Sequence, residues 1–213
     1  MQVSTNGYLS FGQRINDYSS TLFPHEPSFL VAPYWADIVV RGGVGAISYE
    51  VHTTRNGESA SLLLSLVNQF VSHHQRTNFT GDWMLIAEWN QVPAFQVNRA
   101  RVSHFETNHF YVVDTFLHFV QTNTFQGVVV TDGSRSYAVF IYRCGLMEWN
   151  GRAIIGFNAN GSLYQNHRLA GTFGAKNIAC LNSPDAIWSN VVYLLFVRGM
   201  RACSCLYIII SLL

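Results

Sequence analysis

Among the 12 acidic residues of the chain, Asp37, Asp82, Glu88, Asp114 and Glu148 stand at the ends of expected elements. Hydrolysis needs paired carboxylates, or a nucleophile with a positioned base. No motif links these five acids, so a hydrolase is the weakest reading and no catalytic residue is assigned. Asp37 lies in Pro33-Tyr34-Trp35-Ala36-Asp37-Ile38. It can ligate a cation or hold a loop by accepting backbone hydrogen bonds, and the second is the commoner role for an isolated Asp beside a Trp. His104, His109 and His118 are spaced by five and nine residues, which matches neither one helical face nor a zinc motif. They read as ordinary histidines, with no metal assigned. Arg41-Gly42-Gly43-Val44-Gly45 is glycine-rich, but no Gly-Lys-Ser/Thr follows and the next segment alternates like a strand. It is a turn rather than a phosphate loop, and no cofactor is implied.

Four cysteines, Cys144, Cys180, Cys203 and Cys205, allow three complete pairings that sequence alone does not separate. Cys144 and Cys180 can bridge in an oxidising compartment; the alternative is two buried free thiols. Cys203-Ser-Cys205 is too close and isolated for a four-ligand zinc site. Two glycosylation sequons occur, Asn78-Phe79-Thr80 and Asn160-Gly161-Ser162.

The elements that must position these groups are mostly strands. Thr124–Thr131 and Ser136–Tyr142 flank Asp132-Gly133, a strong hairpin signal because Gly takes positive φ without a Cβ clash. On the second strand Tyr137, Val139 and Ile141 share one face and Ala138, Phe140 and Tyr142 the other. Both faces are apolar, so both are expected to be covered. Further strands are expected at Tyr8–Gly12, pairing with Ser28–Ala32, and at Ala46–His52, Met84–Trp89 and Ala153–Phe157. One helix is expected at about Ser59–Val71, capped by Ser59 or Asn56. Its stripe is Ala60, Leu63, Leu64, Val67, Phe70 and Val71, widened by Leu62 and Leu66, and His73-His74 close it. The fold class is therefore mostly β: a two-layer antiparallel sandwich of eight or more strands with one packed amphipathic helix.

Composition narrows the function. The 213 residues suit one domain; they are 49% hydrophobic, 14% aromatic and only 12% charged, the last roughly half the usual ~25%. Ser, Thr, Asn and Gln must supply solubility, as in secreted β-rich domains. A net charge of +1 with scattered basic residues gives no footprint for nucleic acid. The apolar runs Val191–Val197 and Leu206–Leu213 fall short of the ~18 residues of a bilayer span, so no membrane span is assigned. The opening MQVSTNGYLSFG has neither the basic nor the apolar region of a signal peptide; an extracellular protein would be represented here by a fragment.

Taken in order, Asn6-Gly7-Tyr8-Leu9-Ser10-Phe11-Gly12 and Val31-Ala32-Pro33-Tyr34-Trp35-Ala36-Asp37 resemble the opening motifs of the nidogen-type extracellular (NIDO) domain. So do Glu88-Trp89-Asn90-Gln91-Val92, Asn123-Thr124-Phe125-Gln126, Thr131-Asp132-Gly133, Phe140-Ile141-Tyr142 and Trp149. Ala153–Asn158 and Ser189-Asn190-Val191 fit its closing part. The resemblance runs from Asn6 to Val191. That family occurs in basement-membrane nidogens, tectorins and membrane-tethered mucin-like proteins. It implies a non-enzymatic extracellular module of adhesion or matrix assembly, whose partners are matrix or cell-surface proteins and potentially glycans. Two departures stand out: an insertion at about 97–121 and an apolar tail at 199–213, both open to being faults of gene prediction. The domain is accordingly expected to span 1–198. The alternative function is a lectin-like carbohydrate-binding β-domain using Trp35, Trp89 or Trp149, against which core packing is the stronger expectation for each.

Overall fold

The structure, a computed structural model, describes residues 1–25, 29–40, 43–55, 57, 59–95, 121–159, 161–173, 175 and 205–211. His104, His109, His118, Asp114, Asn160, Cys180 and the 191–197 run lie outside them, as does the Cys144 side chain; the Cys144–Cys180 pairing therefore lies outside the described residues.

Ten strands and one helix make up the described chain: β1 (Gln2–Val3), β2 (Leu9–Phe11), β3 (Phe29–Trp35), β4 (Ala46–Thr53), α1 (Leu62–Gln75), β5 (Trp83–Pro93), β6 (Thr122–Thr131), β7 (Ser136–Met147), β8 (Ile154–Ala159), β9 (Leu163–Asn166) and β10 (Cys205–Ser211). They form two five-stranded sheets, β1-β2-β3-β8-β9 and β10-β7-β6-β5-β4. Every pairing is antiparallel. The mostly β class with one packed helix is thus the observed one.

Alternation along β7 decides how the layers stack. Ala138, Phe140 and Tyr142 join Leu85, Ala87, Trp89, Phe125 and Val129 in the core between the sheets, with Leu9, Val31, Ile155 and Phe157 supplied from the first sheet. Tyr137, Val139 and Ile141 face the other way, where Leu64, Val67, Phe70 and Val71 of the helix cover them. Both faces of the second sheet are covered over its central strands β6 and β7, as the two-sided apolar pattern requires. A third cluster, Tyr8, Ile15, Phe23, Leu30, Ala32, Trp35 and Ile154, closes the outer face of the first sheet.

The helix starts later than its stripe suggests. Ser61, not Ser59 or Asn56, is the N-cap, and its hydroxyl accepts from the Leu64 N–H at 3.2 Å. Ala60 therefore lies outside the helix and Leu62 is 67% exposed. Arg76 ends the helix in the left-handed conformation, φ 49°, with its N–H bonded to the Ser72 carbonyl. The strand expected to stop before Pro33 continues to Trp35. The register against β8 shifts between Ala32 and Trp35, and such an irregularity is where a Pro without an N–H is tolerated inside a sheet.

Residues 205–211, set apart from the domain in the sequence, supply an edge strand of it: β10 pairs with β7 from Cys205↔Arg143 to Ser211↔Tyr137. Deleting residues 205–213 exposes that edge. The expected result is faster hydrogen exchange of the β7 amides in 137–143 and a rise in self-association on sizing columns; unchanged exchange there would count against the pairing. A second prediction concerns Gly127 on β6, where an added Cβ would meet Pro33 Cγ at 2.5 Å. Gly127→Ala should lower stability by about 1–3 kcal/mol, the usual cost of overpacking, read as a lower urea midpoint at constant slope.

Candidate functional site

Several motif residues, Tyr34, Trp89, Phe125, Tyr142 and Trp149 among them, meet in the core between the sheets. Asn6-Gly7 begins the convergence. Gly7 adopts φ 80°, and a Cβ there would lie 2.0 Å from the Tyr34 carbonyl oxygen, so only glycine fits. Its carbonyl accepts from the Tyr34 N–H and the Asn6 carbonyl from the Ala36 N–H, at 3.2 and 3.0 Å. The Asn6 side chain also accepts from the Ile38 N–H at 3.1 Å. The first motif is thereby laced to the second.

The aromatic members lock the same region. Trp89 stacks on Phe125 with centroids 5.1 Å apart and donates its indole N–H to the Ser4 carbonyl at 2.9 Å. Trp149 meets Tyr34 edge-on at 5.5 Å and donates to the Val92 carbonyl at 2.7 Å. Buried Asn123 bonds the Trp149 backbone twice, donating to its carbonyl and accepting from its N–H. The Tyr142 hydroxyl donates to the Pro33 carbonyl. Burial pushes the Tyr34 and Tyr142 hydroxyls well above the ordinary tyrosine range.

The three tryptophans proposed as sugar platforms, Trp35, Trp89 and Trp149, are all buried. They cannot stack on a glycan, which removes the basis of the lectin-like alternative. Among the described residues the candidate acids do not meet either. Asp82 pairs with Arg55 at 2.9 Å, Glu88 accepts from Gln126 at 3.1 Å, and Glu148 accepts from the Thr122 N–H at 2.8 Å. Asp37 contributes its backbone carbonyl to the Phe95 N–H, while burial pushes its carboxyl above the usual range. Among the described residues no group of three or more His, Cys, Asp or Glu side chains converges as a metal site would require.

Two surface features were not legible beforehand. One is a clamp at the hairpin tip. Asp132 closes the four-residue loop by accepting from the Ser134 and Arg135 N–H groups at 2.9 and 2.7 Å. Arg135 in turn bonds Asp132, the Thr77 hydroxyl and the Asn78 carbonyl, and lies over the Phe79 ring at 5.4 Å. The hairpin is thus tied to the α1–β5 connection. The second feature is β4. Its residues Tyr49 and Val51 lie opposite Ala87 and Leu85 yet remain 61% and 46% exposed, and among the described residues its outer edge has no strand partner.

The Asp132 carboxyl is held below the usual range, first by the Arg135 backbone N–H, with burial opposing and the Ser134 N–H and the Arg135 side chain assisting. A carboxylate depressed on folding adds stability that is complete above its unfolded value, 3.8, and is lost as the pH falls through the lower folded value. Asp132→Asn should therefore lower the urea midpoint at pH 7 and shrink the loss of stability below pH 4. An unaltered acid limb would sink this assignment.

Comparison with known proteins gives one family and several relatives. The family model of the nidogen-like domain matches residues 1–184. Mucin-4 of Mus musculus is 28% identical over 185 residues, covering 78% of this chain and 5% of that protein. Mucin-4 of Homo sapiens is 25% identical, covering 79% and 3%. Alpha-tectorin of Gallus gallus is 28% identical over 144 residues, covering 66% and 6%. The chain thus spans about a twentieth of the length of these relatives. No solved structure matches it.

Proposed function

Because the chain belongs to the nidogen-like domain family, we propose that it is a non-enzymatic extracellular module that contacts matrix or cell-surface proteins in adhesion or matrix assembly. The observation that carries this reading is where the side chains are spent. The motif tryptophans, tyrosines and amides hold the two sheets together, while Asp82, Glu88 and Glu148 are engaged apart from one another, in one ion pair and two hydrogen bonds. What the surface offers a partner is shape and backbone. The eight residues of β4 present an unpaired edge among the described residues, flanked by exposed Tyr49 and Val51. An extended segment of an extracellular protein fits such an edge, because main-chain hydrogen bonds supply affinity and alternate side chains supply selectivity.

The test uses the chain secreted from animal cells and offered, at graded concentration, to individually coated matrix proteins and to live cells. Saturable binding is expected to at least one of them. The double substitution Tyr49→Lys with Val51→Lys should weaken that binding at least tenfold while leaving the circular dichroism spectrum and melting midpoint unchanged, since both side chains are exposed. No binding above an albumin control would sink the interaction reading. Binding indifferent to the double substitution would move the contact away from β4.

A further inference from the structure

We propose that Asn78 carries an N-linked oligosaccharide, a modification that rests on the extracellular reading above. The sequon Asn78-Phe79-Thr80 forms the connection between α1 and β5, and its burial alternates: Asn78 and Thr80 are exposed and Phe79 between them is buried. Alternation alone would be unremarkable; the way the backbone is held is what selects this site. Ser72 on the helix donates its hydroxyl to the Phe79 carbonyl at 3.0 Å and accepts from the Phe79 N–H at 3.1 Å. Asn68, one turn earlier, bonds the Gly81 N–H and carbonyl in the same reciprocal way, at 2.9 and 3.0 Å. Arg135 holds the Asn78 carbonyl at 3.1 Å. The Phe79 ring is anchored edge-on to Tyr137 at 4.9 Å.

Within the sequon itself every fixed point is therefore backbone or the Phe79 ring. The two side chains that the modification needs, the Asn78 amide and the Thr80 hydroxyl, project outward and take no part in the fold's contacts among the described residues. A sugar on Asn78 costs no buried contact, and the closed loop afterwards presents it away from the helix–sheet core. The contrast is with Asn68, Asn123, Asn158 and Asn166, whose amides are all engaged with backbone groups.

In the step itself the Asn78 amide nitrogen attacks the anomeric carbon of a polyprenyl-diphosphate-linked oligosaccharide. The C–N glycosidic bond forms, the anomeric C–O bond breaks, the polyprenyl diphosphate leaves and one amide proton passes to the transferase's base. No oxidation or reduction occurs. Thr80 supplies the hydroxyl that the transferase reads, two residues on.

The experiment is site mapping on the full 213-residue chain directed into the secretory pathway of animal cells by an added leader. The secreted protein is deglycosylated with peptide N-glycosidase in heavy-oxygen water, which converts each occupied Asn to labelled Asp, and its peptides are weighed. Label at Asn78 is expected in the wild type and in Thr80→Ser, and not in Thr80→Ala or Asn78→Gln. An unlabelled Asn78 peptide from secreted wild type, or label confined to Asn160, would overturn the proposal while leaving the extracellular reading intact. Failure of the extracellular reading shows separately, as a secreted, labelled chain that binds no matrix or cell-surface protein.

Discussion

Close approach of backbone to backbone at Gly7 governs the architecture. The Asn6-Gly7 turn has to pass within hydrogen-bonding distance of Tyr34 and Ala36, and the space beside the Tyr34 carbonyl is closed to any side chain. Once that approach is made, Tyr34 is fixed against Phe125 and Trp149. Trp89 then finds the Ser4 carbonyl, and Pro33 receives the Tyr142 hydroxyl. Strands from both sheets are thereby joined by directed hydrogen bonds as well as by apolar packing. Such bonds are costly to leave unmade in a dry interior, so this region admits few alternative arrangements.

Local signals in the sequence carried far. Asp132-Gly133 and the apolar runs beside it located the central hairpin, and period-two alternation assigned Tyr137, Val139 and Ile141 to one core and Ala138, Phe140 and Tyr142 to the other. Where two candidates of the same kind lie side by side, local chemistry does not choose. Ser59 and Ser61 can each cap a helix, and the choice of Ser61 follows from which turn places Leu64, Val67, Phe70 and Val71 against the sheet. A pattern-based stop at Pro33 failed for a related reason: an irregular register shelters the missing N–H.

The site features were less legible because they join residues far apart in the chain. Arg135 reaches Thr77 and Asn78 across 58 and 57 positions, and no spacing rule marks such a pair. The family motifs were visible as residue types, but their role as a single interlocked cluster emerges only once Asn6, Pro33, Tyr34, Asn123, Tyr142 and Trp149 are seen together. The tryptophans show the same limit from the other side. A Trp in a motif suits a sugar platform or a core, and only burial separates the two.

Strand β6 ends up as a party wall between two interiors. Val128 faces the helix, while its neighbour Gly127 gives way to Pro33 on the opposite side. Both edges of the strand are paired, so its backbone has no free direction in which to yield. One strand is thus enclosed on four sides, by a paired neighbour along each edge and a packed interior over each face, so a change in its side chains is felt in two cores at once.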